Sequence, residues 1–416
     1  MSARAGIAIV LINNTQVGGA ERRFARVWKG LGRRGRPTTL IINRSLSEHL
    51  VRAGILSQGD RAIVILSEPF GRLASRLFGQ PEARRGLMGR AGFWLSKLDY
   101  LLGAGVLAWW SLLHRPRLVH LVLGGAYLAW PAQVLRLMPP AVLSIVCQDL
   151  REMVGSAVGE RLYRRALGRA AVIDALTAPI RDGLLRSGTP AHRIRVSSGS
   201  FVDTDRYRPA EQKKPWVVFT GRWVEEKNPL LFIEACALIR DRLADHLSQL
   251  RYYLVGDGPL RGEIEEAIAR HGLSGRVETG WRDDVETILG AAQVFVSLQR
   301  TDNYPSQALL EAMACECAVV ATDVGQTSKL VDDRVGTRVS PDPSAVADAV
   351  CRFMEDSVQA RALGREGRRR VLTTHSTDAY LDYVESVYAA ATGSPLAANK
   401  GVPYDASRFT THASRS

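Results

Sequence analysis

The chain reads as an α/β protein of two doubly wound, Rossmann-like domains, each built on a mainly parallel sheet. Three observations predict this. Short β-branched runs alternate with segments of helical periodicity, the pattern of parallel sheets covered by helices. The alternation restarts with a fresh strand at Val217, after a polar stretch from Pro209 to Pro215 that suits a linker. The 416 residues also exceed what one hydrophobic core usually serves.

Taken in order, Ile7 to Ile12 is a strand and Asn13 to Gly19 a loop. A helix follows from Ala20 to about Arg33, with Phe24, Val27, Trp28 and Leu31 at helical spacing. Gly18 and Gly19 let backbone approach a ligand closely, and the helix start supplies amides for an anion. The pair is not a G-x-G-x-x-G fingerprint, and no P-loop lysine follows. Thr38–Ile42, Ala62–Leu66, Leu118–Leu123, Val142–Cys147 and Ala170–Ile173 read as further strands. The longest apolar stretch, Tyr100 to Leu113, is flanked by Lys97, Asp99, His114 and Arg115 and is too short to cross a bilayer. Trp94, Trp109 and Trp110 beside Arg115 and Arg117 suit a membrane interface. A plain buried helix accounts for the same stretch.

The second half opens with the strand Val217–Thr220 and the loop Gly221 to Pro229, which carries Arg222 and Lys227. Tyr252–Val255 is a strand ending in Gly256-Asp257-Gly258-Pro259, and Val277–Thr279 another, ending in Gly280-Trp281-Arg282. Val294–Leu298 is a short buried strand, which Gln299 to Pro305 breaks. Pro305 is expected at the first turn of a helix, with Pro305, Ser306 and Gln307 opening it and Asn303 or Tyr304 as its cap. Leu309, Leu310, Met313 and Ala314 form the apolar face of that helix, Glu311 stands among them, and Ala318 starts the next strand. A polar loop between a buried parallel strand and a helix start sits where open α/β sheets bind ligands; an ordinary βαβ unit has the same outline. Helices at Ala345–Met354, Ala360–Leu372 and Thr377–Ala391 follow, and from about Gly393 the chain reads as a mobile tail.

Charge is unevenly placed. Residues 1–210 hold 31 Lys and Arg against 13 Asp and Glu, a balance of +18, while the remainder holds 24 against 29. A phospholipid surface, a lipid diphosphate or nucleic acid would suit such a front half, and so would arginine spread over solvated faces. A nucleic-acid partner is not expected, because no zinc finger or aromatic-basic RNA signature appears. Cysteines 147, 236, 315, 317 and 351 form no paired framework, and Cys315-x-Cys317 lacks a second pair for zinc. The N-terminus enters a strand without a secretory leader, so a cytoplasmic protein is expected.

Three loops together carry a resemblance. Glu311-Ala312-Met313-Ala314 resembles the donor-sugar signature of retaining GT-B glycosyltransferases of family 4, in which two glutamates stand eight positions apart. Asn303 occupies the first glutamate position here, and the family expects glycine where Glu316 stands. Gly221-Arg222 followed by Lys227 and Pro229 resembles the family's G-R-x-x-x-x-K-x-P loop, and Gly18-Gly19-Ala20-Glu21-Arg22 its G-G-A-E-R segment. Gln148-Asp149 stands where related enzymes often present His-Asp to the sugar.

The resemblance implies a GT-B fold, two Rossmann-like domains facing each other across a cleft. Residues 1–208 would form the acceptor-side domain, 209–375 the nucleotide-sugar donor domain, 376–392 a helix returning to the first domain, and 393–416 the tail. It implies transfer of a sugar from a UDP- or GDP-sugar to a hydroxyl acceptor, lipid-linked or an envelope polysaccharide, with retention. Arg222 and Lys227 would neutralise the diphosphate, with Gly18, Gly19 and Gly221 on the phosphate side. Glu311 would accept from the ribose hydroxyls. Asn303, Tyr304, Pro305, Ser306 and Gln307 would cup the sugar, Trp281 and Arg282 lie where the nucleobase is held, and Gln148 and Asp149 would contact sugar or acceptor. No metal and no cofactor is expected, and a peripheral contact with an anionic membrane is. An inactive sugar-nucleotide-binding relic and a sugar-nucleotide epimerase on the same fold are the alternatives.

Overall fold

The computed structural model describes residues 6–12, 19–57, 59–60, 62–78, 86–123, 139–146, 157–243 and 249–393. Chain contacts divide it into two units, Met1–Ser197 with Leu381–Ser416, and Ser198–Tyr380.

In the first unit the β-branched runs become β1 (Ile7–Leu11), β2 (Thr38–Asn43), β3 (Ile63–Leu66), β4 (Leu118–Leu123), β5 (Ala141–Ile145), β6 (Val172–Ala175) and β7 (Ile194–Val196). They form one seven-stranded sheet, order β3-β2-β1-β4-β5-β6-β7, with every pairing parallel. Ile9 of β1 pairs with Leu40 on one side and His120 on the other, and all five β1 residues are buried, which is why that run has no polar alternation. The helices are α1 (Gly19–Arg33), α2 (Arg44–Arg52), α3 (Pro69–Phe78), α4 (Gly86–His114), α5 (Ala157–Arg169) and α6 (Ala178–Arg186). α4 is much longer than the apolar run that announced it. The three-residue β7 is too short to leave a periodic signal in the sequence.

The second unit holds β8 (Lys214–Thr220), α7 (Pro229–Leu243), β9 (Arg251–Val255), α8 (Arg261–Arg270), β10 (Val277–Gly280), α9 (Val285–Ala291), β11 (Ala292–Ser297), α10 (Gln307–Ala314), β12 (Ala318–Thr322), β13 (Gly336–Val339), α11 (Pro343–Glu355) and α12 (Ser357–Thr374). Its parallel sheet runs β10-β9-β8-β11-β12-β13. Phe219, Phe232, Val294, Val320 and Phe353 are buried in the core on one face, and Val218, Phe295, Leu310 and Met313 in the core on the other. β8 begins at Lys214, so the end of the stretch read as linker is already strand. The four described cysteines are free and buried.

A last helix, α13 (Thr377–Thr392), contributes its residues from Leu381 onward to the first unit. Its fit is close: a β-carbon on Gly30 of α1 would lie 2.7 Å from Leu381 Cδ1. Arg36 pairs with Glu385 through two bonds of 2.9 and 3.0 Å. Beneath them, the Tyr383 hydroxyl donates to Asp174 Oδ1 at 2.5 Å, and Ser144 Oγ donates to Asp174 Oδ2 at 2.6 Å. Ser144 then accepts from His120 Nε2 at 2.7 Å, which leaves His120 Nδ1 to accept from the Tyr388 hydroxyl at 2.8 Å. Burial holds His120 neutral, its pKa pushed down to about 3, and pushes the Asp174 carboxyl up.

Candidate functional site

In the second unit the chain winds outward from the middle of the sheet. β8, β9 and β10 step one way, and β11, β12 and β13 the other. The reversal falls between β8 and β11, and ligands of open α/β sheets bind in the crevice beyond the carboxyl ends of such strands. Two helix starts flank it, α7 after β8 and α10 after β11.

The loop after β8 is shaped by close packing. Gly221 sits at φ +155° and Gly256, after β9, at φ +149°. A β-carbon on Gly256 would lie 1.9 Å from the Gly221 carbonyl oxygen, and one on Gly258 would lie 2.4 Å from that of Trp223, so neither position admits a side chain. Trp223 is fully buried beneath this crossing, with the Arg261 guanidinium 5.1 Å from its ring centroid. Arg222 remains exposed. A short turn, Glu225–Lys227, and a left-handed Asn228 (φ 54°) lead into α7.

Lys227 is half-buried, and its Nζ donates to Gln299 Oε1 at 2.9 Å, bridging from the β8 side of the crevice to the chain leaving β11. Burial, and next the like charge of Arg222, lower the Lys227 pKa, while Glu226 opposes them. Two cations therefore converge here.

Beyond β11, Asp302 fixes the loop. Its Oδ1 accepts from the amides of Tyr304 at 3.2 Å and Gln326 at 3.1 Å, and its Oδ2 from Gln326 Nε2 at 2.9 Å. Gly325 (φ +53°) leaves room for it, since a β-carbon there would lie 2.4 Å from Asp302 Cβ. With residues 302–304 held as a turn, α10 starts at Gln307 and not at the expected Pro305. Ser306 occupies the cap position, without a side-chain cap bond, in place of Asn303 or Tyr304. The Tyr304–Pro305 peptide is cis. The first amide to find a partner along the helix is that of Leu310, bonded to the Ser306 carbonyl, so the Gln307, Ala308 and Leu309 amides precede the helix ladder.

Ser297, Gln299, Asn303, Tyr304, Ser306 and Thr327 line a small pocket at this point. The Lys329 ammonium lies 5.3 Å from the Tyr304 ring centroid and donates to Gln326 Oε1.

The expected site residues thus fall into four groups. Arg222, Lys227, Gly221, Asn303, Tyr304 and Ser306 belong to the loops around the β8–β11 crevice, with Pro305 between them. Gln307, with Glu311 beside it, meets the segment between β7 and β8: Gln307 Nε2 donates to Glu311 Oε1 at 3.0 Å and to the Phe201 carbonyl at 3.3 Å, and Ser200 Oγ donates to Gln307 Oε1. Burial first, and the Glu311 charge second, raise the Tyr207 phenol pKa. Trp281 and Arg282 stand at the end of the edge strand β10. Trp281 is 74% exposed, and Arg282 makes a two-pronged pair with Asp284 at 2.9 and 3.0 Å, so its charge is already matched. The fourth group belongs to the first unit. Gly19 opens α1, and a β-carbon there would meet nothing within 4 Å, whereas Gly18, Gln148 and Asp149 lie outside the described residues.

Sequence reasoning missed Gln299, Asp302, Gln326 and Lys329. Gln299 and Asp302 sat in a loop recognised as polar, but their partners lie at 227 and 326, beyond any local pattern. Among the described residues no group of three or more His, Cys, Asp or Glu is placed to hold a metal ion.

The fold defines a GT-B protein, with two doubly wound Rossmann-like sheets and a crevice at the switch point of the second. Residues 214–356 match the family model described as Glycosyl transferases group 1. The chain is 27% identical over 257 residues to the alpha-D-kanosaminyltransferase of Streptomyces kanamyceticus, covering 58% of this chain and 65% of that protein. It is 30% identical over 201 residues to the lipopolysaccharide core biosynthesis glycosyltransferase LpsE of Rhizobium meliloti, covering 46% and 56%. The match thus spans less than two thirds of either relative. A glycosyltransferase from Rickettsia africae superposes with a TM-score of 0.67 at 16% identity, covering 93% of this chain and 98% of its own. HepE of Anabaena, solved in complex with UDP and glucose, gives 0.64 at 16%, covering 92% and 99%.

Proposed function

We propose that the protein is a glycosyltransferase that moves a sugar from a UDP- or GDP-sugar to a hydroxyl acceptor, with retention and without a divalent metal. The observation that carries this reading is the half-buried Lys227 ammonium at the β8–β11 switch point, held on Gln299 and beside Arg222. In the free protein the two cations raise each other's energy. A diphosphate relieves that repulsion as it binds, and it gathers further negative charge as the bond from sugar to phosphate breaks. Fixed cations and helix amides aimed at that charge favour the transition state over the ground state. Arg222 and Lys227 take the diphosphate in this reading, and the amides opening α10 with Asn303, Tyr304 and Ser306 take the sugar. Glu311 accepts from the ribose hydroxyls, with Gln307 orienting its carboxylate. No side chain is assigned as nucleophile: the departing phosphate takes the proton of the incoming hydroxyl as the new glycosidic bond forms.

The UDP and glucose bound by HepE support the donor class. The LpsE relative, whose name places it in lipopolysaccharide core biosynthesis, supports an envelope polysaccharide or lipid-linked acceptor. The test is a thermal-shift screen of nucleoside diphosphates and their sugars, followed by transfer assays with and without chelator. A UDP or GDP compound should raise the melting temperature, and transfer should persist in EDTA. Stabilisation by no nucleotide, or activity abolished by EDTA and restored by magnesium, would contradict the corresponding part of the proposal.

A further inference from the structure

We infer that the outer face of α4, with neighbouring α3, is a docking surface for an anionic lipid bilayer, on which α4 lies in the plane of the leaflet. Along one side of α4, Trp94, Leu98, Leu101, Trp109, Leu112 and Leu113 are all exposed, Trp94 at 61% and Trp109 at 65%. With Leu102 and Val106, which are also exposed, steps of three and four residues make one continuous stripe. It extends about 28 Å at 1.5 Å per residue. A soluble helix places polar residues on that side. The opposite side of α4 is occupied, because Tyr100, Leu107 and Trp110 are buried in the core of the first unit. The helix is therefore fixed in the protein, and no helix of the described residues is long and apolar enough to cross a membrane. Only contact along its length remains to cover the stripe.

Charge identifies the occupant. α3 packs against α4 and adds the exposed Leu73 and Leu77 together with the exposed Arg72 and Arg76. Arg90 and Arg115, both exposed, stand near the two ends of α4. The Lys97 ammonium lies over the rings of Phe93 and Tyr100, at 4.7 and 5.1 Å from their centroids. The sole carboxylate of the two helices, Asp99, is buried, where it accepts from the amides of Phe70 and Gly71 at 3.1 and 2.7 Å and so ties the start of α3 to α4. The surface thus presents tryptophan, leucine and arginine with no exposed acid on either helix. Tryptophans settle at the headgroup level, leucines reach the acyl boundary, and arginines meet anionic headgroups.

The full chain should co-sediment at low salt with vesicles of phosphatidylcholine and phosphatidylglycerol, with a blue shift of tryptophan emission. It should bind vesicles of phosphatidylcholine alone at least tenfold less. Trp109→Glu with Leu113→Glu should lower binding at least tenfold, and Arg72→Ser with Arg76→Ser should lower it and flatten its salt dependence. The nucleotide-induced thermal shift should stay as in wild type in both variants, which keeps this test separate from the donor site. Wild-type protein that ignores anionic vesicles at low salt, or both variants binding as wild type does, would overturn the inference. So would a wild-type dimer that Trp109→Glu with Leu113→Glu makes monomeric while neither form binds vesicles, because the stripe would then be covered by a second copy.

Discussion

Replacing Lys227 by methionine keeps the length and apolar stem of the side chain and removes its charge. In the unliganded protein this should cost nothing. Burial and the neighbouring Arg222 disfavour the ammonium in the folded chain, so its pKa lies below 10.5 there. The folded state sheds this proton before the unfolded state does, and the resulting penalty is present at neutral pH and fades as pH rises toward 10.5. Methionine removes that penalty, so the unliganded melting temperature should hold or rise. Nucleotide binding should behave oppositely. Removing one preorganised contact to a diphosphate costs about 3 kcal/mol, roughly a hundredfold in affinity. Nucleotide at about a hundred times its dissociation constant stabilises the wild type by about 2.7 kcal/mol, and at the same concentration the variant would gain only about 0.4 kcal/mol. At about 2–4 °C per kcal/mol, the shift should fall from about 5–10 °C to about 1–2 °C. Differential scanning fluorimetry with UDP and GDP measures both quantities. A nucleotide-induced shift in Lys227→Met equal to that of the wild type would refute the placement of the diphosphate.

Arg222→Ala should lower sugar transfer by roughly a hundredfold, whereas Arg282→Ala, whose guanidinium is already matched by Asp284, should change turnover little; equal losses in both would count against the assignment. Glu316→Gly should raise the urea midpoint by about 0.5–1 kcal/mol equivalent, because Glu316 holds φ +61°, a left-handed conformation that costs a non-glycine residue about 1–2 kcal/mol, against a smaller entropic loss for glycine. The contribution of His120 to the stability of the first unit should fall as pH drops below 6.5, since the unfolded chain then protonates His120 while the folded chain refuses the proton until about pH 3. It changes by up to about 1.4 kcal/mol per pH unit, against an opposite contribution from Asp174, whose raised carboxyl pKa favours the folded state as pH falls. The difference in slope between wild type and His120→Gln in urea titrations between pH 6.5 and 5 isolates it, equal slopes counting against it.

The strands were legible because both faces of these parallel sheets are buried, which forces continuous β-branched runs such as β1 and β12. Helix starts were less so. Pro305 has the chemistry of a first helical residue, but Asp302 holds the preceding residues to Gln326, and that contact cannot be seen in the local sequence. The site divides along the same line. Arg222 and Lys227 were readable because loop position and charge suffice to suggest an anion, while Gln299 acquires meaning only through a partner 72 residues away. The glycine that the resemblance expects at 316 finds its reason in the backbone. That residue is left-handed, and a β-carbon on Gly364 would lie 2.2 Å from its carbonyl oxygen.

The hydrogen bond between His120 and Tyr388 joins residues 268 positions apart. The first unit is therefore assembled from segments on both sides of the second unit in the chain. During synthesis its seven strands leave the ribosome early, yet the phenols that satisfy His120 and Asp174 emerge only after the whole second unit has been made. Until then the buried imidazole and carboxylate have neither tyrosine, and the nascent domain waits in an incomplete form. A stop codon just before Leu381 would spare every strand of both sheets and still strand the first unit in that state, so late nonsense mutations should damage the start of the protein as much as its end.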